Sequence, residues 1–345
     1  MSIASQIDRL LAGEDLGRDG AAEALDAIMG GEIDPVQVGA FLIALRAKGE
    51  TASELAGLAS VVRSRSEPVR VTSAPLVDTC GTGGGRNTFN VSTAAAFVVA
   101  GAGVAVAKHG NRSATSRSGS ADVLEALGAR IDLTPDAVAQ CVERVGVGFM
   151  FAPSHHPAFR HIGPVRKALG VRTIFNLLGP LANPAGVRRQ VIGVSDPSYV
   201  ERIAAALAEL GAEHALVVSS EDGLDEISTG APTNVAEVTS GGIRMWRIDP
   251  AALGIAPAVE HEIAGGEPGD NAAMVVAALE RGTGAAADLI ALNAAAAILV
   301  SGRATTLEDA LGAARESITS GGARERLSQF VAVTNELAPE RQETG

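Results

Sequence analysis

The strongest constraint on the fold is a change of sequence pattern at about residue 71. Beyond this point, short runs of β-branched and other apolar residues alternate with alanine-rich stretches of helical length. Such alternation is typical of an α/β fold, in which helices pack around a mainly parallel sheet. We predict strands at residues 76–77, 104–107, 147–151, 191–194, 215–218, 235–238 and 243–248.

The first 70 residues carry helix signals and no strand pattern. Asp34 and Pro35 suit the N-cap and the first position of a helix. Thr51 and Glu54 have the spacing of a capping box at the start of another helix. We therefore predict a small helical domain at residues 1–70 and a larger α/β domain, which carries the catalytic site, at residues 71–345.

Charge and composition exclude several classes of protein. The net charge of −12, with no long basic run, argues against binding to nucleic acid or to a membrane surface. The longest apolar run, residues 291–300, is too short for a bilayer, which takes about 20 residues. The start of the chain lacks a signal pattern, and Cys80 and Cys141 have neither disulfide nor metal spacing. We expect a cytoplasmic protein with reduced thiols.

Two polar loops follow predicted strands. The first reads DTCGTGGG at residues 78–85 and the second reads KHGNRS at residues 108–113. In open parallel sheets, ligands bind beyond the carboxyl ends of the strands. Glycines leave backbone N–H groups bare for a phosphate, and Lys108 and Arg112 supply positive charge. The pair of loops predicts an enzyme site for a highly phosphorylated small molecule.

The residues around the first loop favour a phosphate over a dinucleotide. A dinucleotide fingerprint needs a third glycine, and Arg86 stands in its place. Asn90, Ser92 and Thr93 are short hydrogen-bonding residues at a predicted helix start, where free N–H groups favour anions.

Three further groups have two readings each. Asp225 and Glu226 are either solvent-facing or a Mg²⁺ site completed by substrate phosphates. Arg166 and Arg172 are either surface arginines or clamps for a carboxylate, which guanidinium matches with two hydrogen bonds. The adjacent histidines at residues 155–156 point in different directions, which favours packing over metal binding.

Together these motifs resemble those of the anthranilate phosphoribosyltransferases, over nearly the whole chain. The landmarks are DTCGTGG at 78–84, TFNVST at 88–93, KHGNRS at 108–113, SGSADVLEALG at 118–128, FAP at 151–153, RTIFNLLGPLANP at 172–184 and GLDEIS at 223–228. The resemblance implies transfer of the phosphoribosyl group of 5-phosphoribosyl 1-pyrophosphate (PRPP) to the amine of anthranilate, a step of tryptophan biosynthesis. It also implies Mg²⁺ as cofactor, a homodimer formed through the helical domain, and a return of residues 165–185 to that domain.

The resemblance further implies roles for individual residues. Lys108, Asn111 and Arg166 are expected to be catalytic, the first at the pyrophosphate and the other two at anthranilate. Ser92, Asp225 and Glu226 are expected to serve the metal. The expected substrate-binding residues are Gly81, Thr82, Gly84, Gly85, Thr88, Asn90, Val91, Ser92, Thr93, Lys108, His109, Gly110, Asn111, Arg112, Ser113, Ala114, Thr115, Ser116, Ser120, Arg166, Gly179 and Pro180.

The first loop departs from the family pattern, and two alternatives stay open. The family usually has Gly-Gly-Asp-Gly, whereas this loop is one residue shorter and has Gly85 and Arg86 with no acid. Pyrimidine nucleoside phosphorylases share the fold, but usually have Lys-His-Ser where this chain has KHG at 108–110, and they lack the block at 176–184. A non-catalytic relative that binds nucleic acid would need a basic groove, which the net charge of −12 disfavours.

Overall fold

A seven-stranded sheet forms the centre of the molecule. The computed structural model describes residues 2–113 and 117–339. The strands are β1 (Leu76–Thr79), β2 (Ala105–Gly110), β3 (Val147–Phe151), β4 (Arg189–Gly193), β5 (His214–Ser220), β6 (Thr233–Thr239) and β7 (Gly242–Ile248). Their order is β3-β2-β1-β4-β5-β6-β7. The first five strands of that order pair in parallel, and β6 pairs antiparallel with both β5 and β7, so the predicted mainly parallel sheet is confirmed.

All seven predicted strands are present, but β1 and β2 extend into the predicted loops. Lys108 and His109 lie within β2, beside Phe149 and Met150 of β3. The sequence pattern missed this extension because charged and polar residues rarely occupy a buried strand. Here they do so because each has a buried hydrogen-bond partner, described below.

Helices cover both faces of the sheet and form the N-terminal bundle. They are α1 (Ile3–Leu11), α2 (Gly17–Gly30), α3 (Pro35–Lys48), α4 (Ala52–Ser64), α5 (Val91–Gly101), α6 (Ser120–Ala126), α7 (Pro135–Val145), α8 (Ala152–His155), α9 (Gly163–Leu169), α10 (Phe175–Leu181), α11 (Val200–Glu209), α12 (Glu260–Ile263), α13 (Pro268–Arg281), α14 (Ala285–Ser301), α15 (Leu307–Thr319) and α16 (Gly322–Leu337). Three 3-10 segments lie at Pro157–His161, Pro197–Tyr199 and Ala251–Leu253.

The sheet separates two hydrophobic cores. Along β5, Leu216 and Val218 belong to the core that contains α5 and α14, whereas Ala215 and Val217 belong to the core that contains the N-terminal helices. This alternation follows from the two-residue period of a strand. Both faces of β5 are therefore buried, as expected for a central strand of an α/β sheet.

The second core joins the N-terminal helices to a later part of the chain. Gly57 of α4 permits close packing, since a Cβ there would lie 2.2 Å from the carbonyl oxygen of Arg18 on α2. Buried residues between 162 and 182 belong to this same core. The packing supports a helical domain that is discontinuous in sequence, and the boundaries at 70 and at 165–185 remain our proposal.

No single described helix is both long and apolar enough to cross a membrane. The pair α13 and α14 meets the length and composition test only when taken together, and its two members are bent by 83°.

Candidate active site

Lys108 connects the ends of two neighbouring strands. Its side chain is 2 % exposed, and the ammonium group donates to the carbonyl oxygen of Thr79 and to Ser92 Oγ, the latter at 3.2 Å. Ser92 lies in the first turn of α5. The two loops therefore lie side by side at the carboxyl ends of β1 and β2, as predicted.

Asp78 fixes the relative position of these strands. One carboxylate oxygen accepts from the His109 N–H at 3.2 Å, and the other accepts from Asn183 Nδ2 at 2.7 Å. Burial raises the pKa of Asp78 to about 6, although the charge of Lys108 and the hydrogen bonds act in the opposite direction. Sequence reasoning assigned no role to Asn183, because its partner lies far away along the chain.

Asp225 and Glu226 face the glycine-rich loop. A Cβ on Gly85 would lie 2.4 Å from Asp225 Oδ1, so only glycine permits this approach. Burial raises the pKa of Asp225, and burial together with the charge of Asp225 raises the pKa of Glu226 to about 8. A hydrogen bond from the Ser92 N–H partly offsets the shift at Glu226. The three predicted metal-binding residues thus lie together.

These residues fit a hard divalent cation. Two partly buried carboxylates repel each other, and a cation between them and a phosphate would relieve that repulsion. Within the described residues, no three or more His, Cys, Asp and Glu side chains form a metal site by themselves. The donor set therefore matches Mg²⁺, which is commonly held by one or two carboxylates with substrate phosphates and water.

Arg86, which stands near the position of the family's missing acid, binds carboxylates outside the cleft. Its guanidinium group lies 3.6 Å from Asp222 and 3.2 Å from Glu260, and its N–H donates to the carbonyl oxygen of Gly223 at 3.0 Å. These contacts hold the C-terminal side of the glycine-rich loop. Thr82 holds the other side, since its N–H donates to the carbonyl oxygen of Gly193 at 2.9 Å.

Most of the residues around the start of α5 are buried or form contacts within the protein. The side-chain amide of Asn90 donates to the carbonyl oxygen of Ser118 at 3.1 Å and accepts from Ser118 Oγ and Asn271 Nδ2. Thr88 forms a β-bridge with Ala264, and Val91 is buried. Thr93 is also buried, and its Oγ1 has no hydrogen-bond partner within the described residues. Direct contact of these residues with substrate remains a prediction.

The second loop, which follows β2, packs against the start of α6. Ser120 is the first residue of that helix. Arg112 pairs with Asp122 at 2.9 Å and with Glu125, so its charge is largely satisfied within the protein. The N–H of Ser113 donates to Asp122 at 3.2 Å, whereas Asn111 is exposed. Gly110 ends β2. The predicted ligands Ala114, Thr115 and Ser116 lie outside the described residues.

A buried chain of histidines adjoins the predicted anthranilate route. His109 Nδ1 lies 2.9 Å from the carbonyl oxygen of Gly179, and because a carbonyl only accepts, that nitrogen carries the proton. His109 Nε2 is then an acceptor, and it lies 3.2 Å from Nε2 of His156. Burial lowers the pKa of His109 to about 4 and that of His156 to about 3. Both rings are therefore neutral at pH 7.

Arg166 lies at the far end of an aromatic row. His156 stacks on Phe159, Phe159 meets Phe175 edge to face, and the guanidinium group of Arg166 lies 5.2 Å from the centre of the Phe175 ring. Burial lowers the pKa of Arg166. A guanidinium beside aromatic rings suits an aromatic carboxylate. Pro180 lies within α10, and its carbonyl oxygen accepts from Gln190 at 2.9 Å.

Two residues position the loops in a way that the sequence analysis did not predict. Asn293 of α14 accepts from the Ile227 N–H at 2.9 Å and donates to the Ile227 carbonyl oxygen at 2.9 Å, which fixes the segment after Glu226. Arg172, for which the sequence leaves open a surface position or a carboxylate clamp, donates to the carbonyl oxygen of Gly83. The Asn293 contact has one sequence signal, a lone amide in an apolar helix.

Family models match both parts of the chain. Residues 5–66 match the helical bundle domain of a glycosyl transferase family, and residues 73–324 match its a/b domain. The anthranilate phosphoribosyltransferase of Thermomicrobium roseum is 52 % identical over 341 residues, which is 97 % of this chain and 98 % of that protein. The chain belongs to the anthranilate phosphoribosyltransferases. The predicted family, its transferase class and the predicted fold class are confirmed.

Further members of the family agree in sequence and structure. The enzyme of Anaeromyxobacter dehalogenans is 54 % identical, with 95 % of this chain and 97 % of that protein covered. The crystal structure of the Thermus thermophilus enzyme has a TM-score of 0.90 at 43 % identity, covering 95 % of this chain and 99 % of that one. The Saccharomyces cerevisiae enzyme in complex with PRPP and Mg has a TM-score of 0.89 at 28 % identity, covering 97 % and 98 %.

Proposed function

We propose that this protein transfers the phosphoribosyl group of PRPP to the amine of anthranilate, giving N-(5-phosphoribosyl)anthranilate and pyrophosphate. The observation that carries the proposal is the meeting of the glycine-rich loop with Ser92, Asp225 and Glu226 around the end of β1. The solved yeast enzymes with PRPP and Mg, and with 4-fluoroanthranilate, support this choice of substrates.

The pyrophosphate end of the site stabilises a leaving group. Breaking the bond between C1 and pyrophosphate develops positive charge on the ribose and negative charge on the leaving oxygen. Lys108 and the free N–H groups of the glycine-rich loop would stabilise that negative charge, an effect that is strongest in a closed, water-poor site. Asp225 and Glu226, with Ser92, would hold Mg²⁺, which when bound supplies further positive charge to the phosphates.

The amine end of the site positions the nucleophile. Arg166 would bind the anthranilate carboxylate, and Asn111 would orient the molecule so that its amine faces C1. Such positioning can lower a barrier by about 7–11 kcal/mol. Gly179 and Pro180 would line the route of entry.

No strong general base is required, because an aromatic amine is already nucleophilic. His109 Nε2 already accepts from His156, and burial disfavours the charged ring. We therefore assign His109 a role in lining the anthranilate site, and we propose no covalent intermediate. We further propose that the protein acts as a homodimer in the cytoplasm and binds no nucleic acid.

A fluorescence assay of anthranilate consumption tests the proposed function. The expected result is loss of the anthranilate signal only when both PRPP and Mg²⁺ are present, with release of pyrophosphate. Omission of PRPP and chelation of Mg²⁺ are the controls. No consumption by the folded protein under these conditions would contradict the proposal.

A further inference from the structure

The carbonyl oxygen of Gly83 is the point at which the glycine-rich loop is fixed from outside. Both terminal nitrogens of Arg172 donate to it, each at 3.2 Å, and Ser195 Oγ donates to it at 3.2 Å. Thr82 Oγ1 also donates to this oxygen, at 3.5 Å, and the four donors together restrict the rotation of this peptide group. This restriction matters because glycines allow the backbone of the loop many conformations.

The same arginine is also tied to the N-terminal bundle. Arg46, in the last turn of α3, donates to the main-chain carbonyl oxygen of Arg172. Arg172 lies between α9 and α10, and buried residues of both helices belong to the core of the bundle. One residue therefore connects the bundle to the loop, through its main chain on one side and its side chain on the other.

The loop sequence is compatible with this contact only because Gly84 lacks a side chain. A Cβ on Gly84 would lie 1.7 Å from Arg172 Nη1, and Gly84 has a φ of +89°. Any other residue at this position would displace the guanidinium group. The glycine is thus needed for the Arg172 contact as well as for the turn.

Peptide geometry gives the contact a consequence for phosphate binding. The only cis peptide bond among the described residues is Ala74-Pro75, so the Gly83–Gly84 bond is trans. In a trans peptide the C=O and the next N–H point in opposite directions. When Arg172 holds the Gly83 oxygen, the Gly84 N–H must point away from Arg172. Among the backbone hydrogen bonds of the described residues, this N–H has no partner.

We propose that Arg172 is a positioning residue for PRPP, which keeps the Gly83 carbonyl out of the phosphate site and turns the Gly84 N–H toward it. The inference rests on the proposed function, since it takes the glycine-rich loop as the pyrophosphate site. Arg46 supports Arg172 and so couples the bundle to this loop. Arg172 acts through the loop and does not contact the reacting atoms.

The first test is the pair of Michaelis constants of Arg172→Met. The expected result is a rise of about tenfold to a hundredfold in KM for PRPP, the range for loss of hydrogen bonds from a charged donor. The KM for anthranilate should change less than twofold. Arg188→Met is the matched control, because Arg188 pairs with Glu213 near the opposite end of β4 and should leave both constants unchanged.

Rescue separates positioning from a general structural role. Arg172, Arg46 and Ser195 line a cavity of about 280 Å³. Methylguanidinium added to Arg172→Ala should therefore recover part of the lost PRPP affinity, and Arg172→Lys should lie between wild type and Arg172→Met. If Arg172→Met is poorly folded, Ser195→Ala removes one donor to the same oxygen and should raise KM for PRPP severalfold.

A double-mutant cycle tests the link to the bundle. Arg46→Met should raise KM for PRPP in the wild-type background and have little further effect in Arg172→Met. Fully additive effects would overturn the coupling. An unchanged KM for PRPP in Arg172→Met, or an equal rise in both Michaelis constants, would overturn the proposal for Arg172. Absence of turnover in the wild type would instead overturn the proposed function.

Discussion

At the scale of single residues, the site is dominated by charges that the protein leaves uncompensated. Burial raises the pKa of Asp225, and burial together with the charge of Asp225 raises the pKa of Glu226; the charges of Arg172 and Lys108 offset these shifts only in part. Arg112, by contrast, is already paired with two carboxylates. The uncompensated groups are those expected to meet a charged ligand, because an uncompensated buried charge costs stability.

In the double variant Asp225→Asn/Glu226→Gln, the Mg²⁺-dependent turnover should fall by at least about a hundredfold. Its free energy of unfolding should be equal to or greater than that of wild type, because two repelling carboxylates have been removed. Steady-state rates at varied Mg²⁺ and urea denaturation measure the two effects. Glu221→Gln, which changes an exposed carboxylate paired with Arg247, is the control. Unchanged turnover in the double variant would refute the metal assignment.

Arg166→Ala should raise the KM for anthranilate far more than the KM for PRPP, by about tenfold or more, since a charged hydrogen-bonding partner of the carboxylate is lost. Initial rates with each substrate varied in turn give both constants. Lys167→Ala removes an exposed positive charge from the next position of α9 and should change neither constant. An equal effect of Arg166→Ala on both substrates would show that the residue is not a carboxylate clamp.

Sequence could predict the site residues whose signal is local. Lys108, Asp225 and Glu226 follow apolar runs, and the ends of neighbouring parallel strands meet at one edge of the sheet. Contacts between residues that are far apart in the sequence have no local pattern that predicts them. Arg172 is separated from Gly83 by about ninety positions, and nothing in either local pattern indicates that they meet.

At the scale of elements, strand and helix periods made most of the secondary structure predictable. The extensions of β1 and β2 were not, because Asp78 and Lys108 are polar residues whose buried partners belong to other elements. Helix α14 is apolar on all sides and belongs to the core on one face of the sheet. Asn293, a buried polar residue near its middle, holds the loop that carries the two carboxylates.

Asn293→Ala should destabilise the protein by about 3 kcal/mol, because the N–H and carbonyl groups of Ile227 would remain buried without partners. The affinity for Mg²⁺ should fall as well, since the segment after Glu226 loses its attachment to α14. Urea denaturation and calorimetric titration measure these effects. Asn335→Ala, at an exposed position of α16, should cost less than 1 kcal/mol. Equal stability of the two variants would contradict this account of Asn293.

At the scale of the whole molecule, two cores share one sheet, and three histidines are buried within the described part of the chain. Burial lowers the pKa of His109, His155 and His156. The unfolded chain therefore binds protons more readily than the folded one below about pH 6.5. The stability due to the neutral rings is complete above that pH and is lost as the pH falls toward 4.

The neutral histidines should lower the free energy of unfolding between pH 6.5 and pH 4, by about 3 kcal/mol for His109 alone, whereas the raised pKa values of Asp78 and Glu226 act in the opposite direction over this range. His156→Phe should reduce this slope, because one proton-binding group is removed from the unfolded chain. Urea denaturation at half-unit intervals of pH gives the slope. His261→Gln, at an exposed position, should leave it unchanged. A slope that is the same in His156→Phe and wild type would show that another group controls acid unfolding.

The packing of α9 and α10 against the N-terminal helices has a consequence for biosynthesis. During translation, α1 to α4 leave the ribosome long before α9 and α10, although all six helices contribute to one core. The early helices must therefore wait, with apolar surface uncovered, until the middle of the chain has been made. During this interval the uncovered apolar surface is open to aggregation and to binding by chaperones.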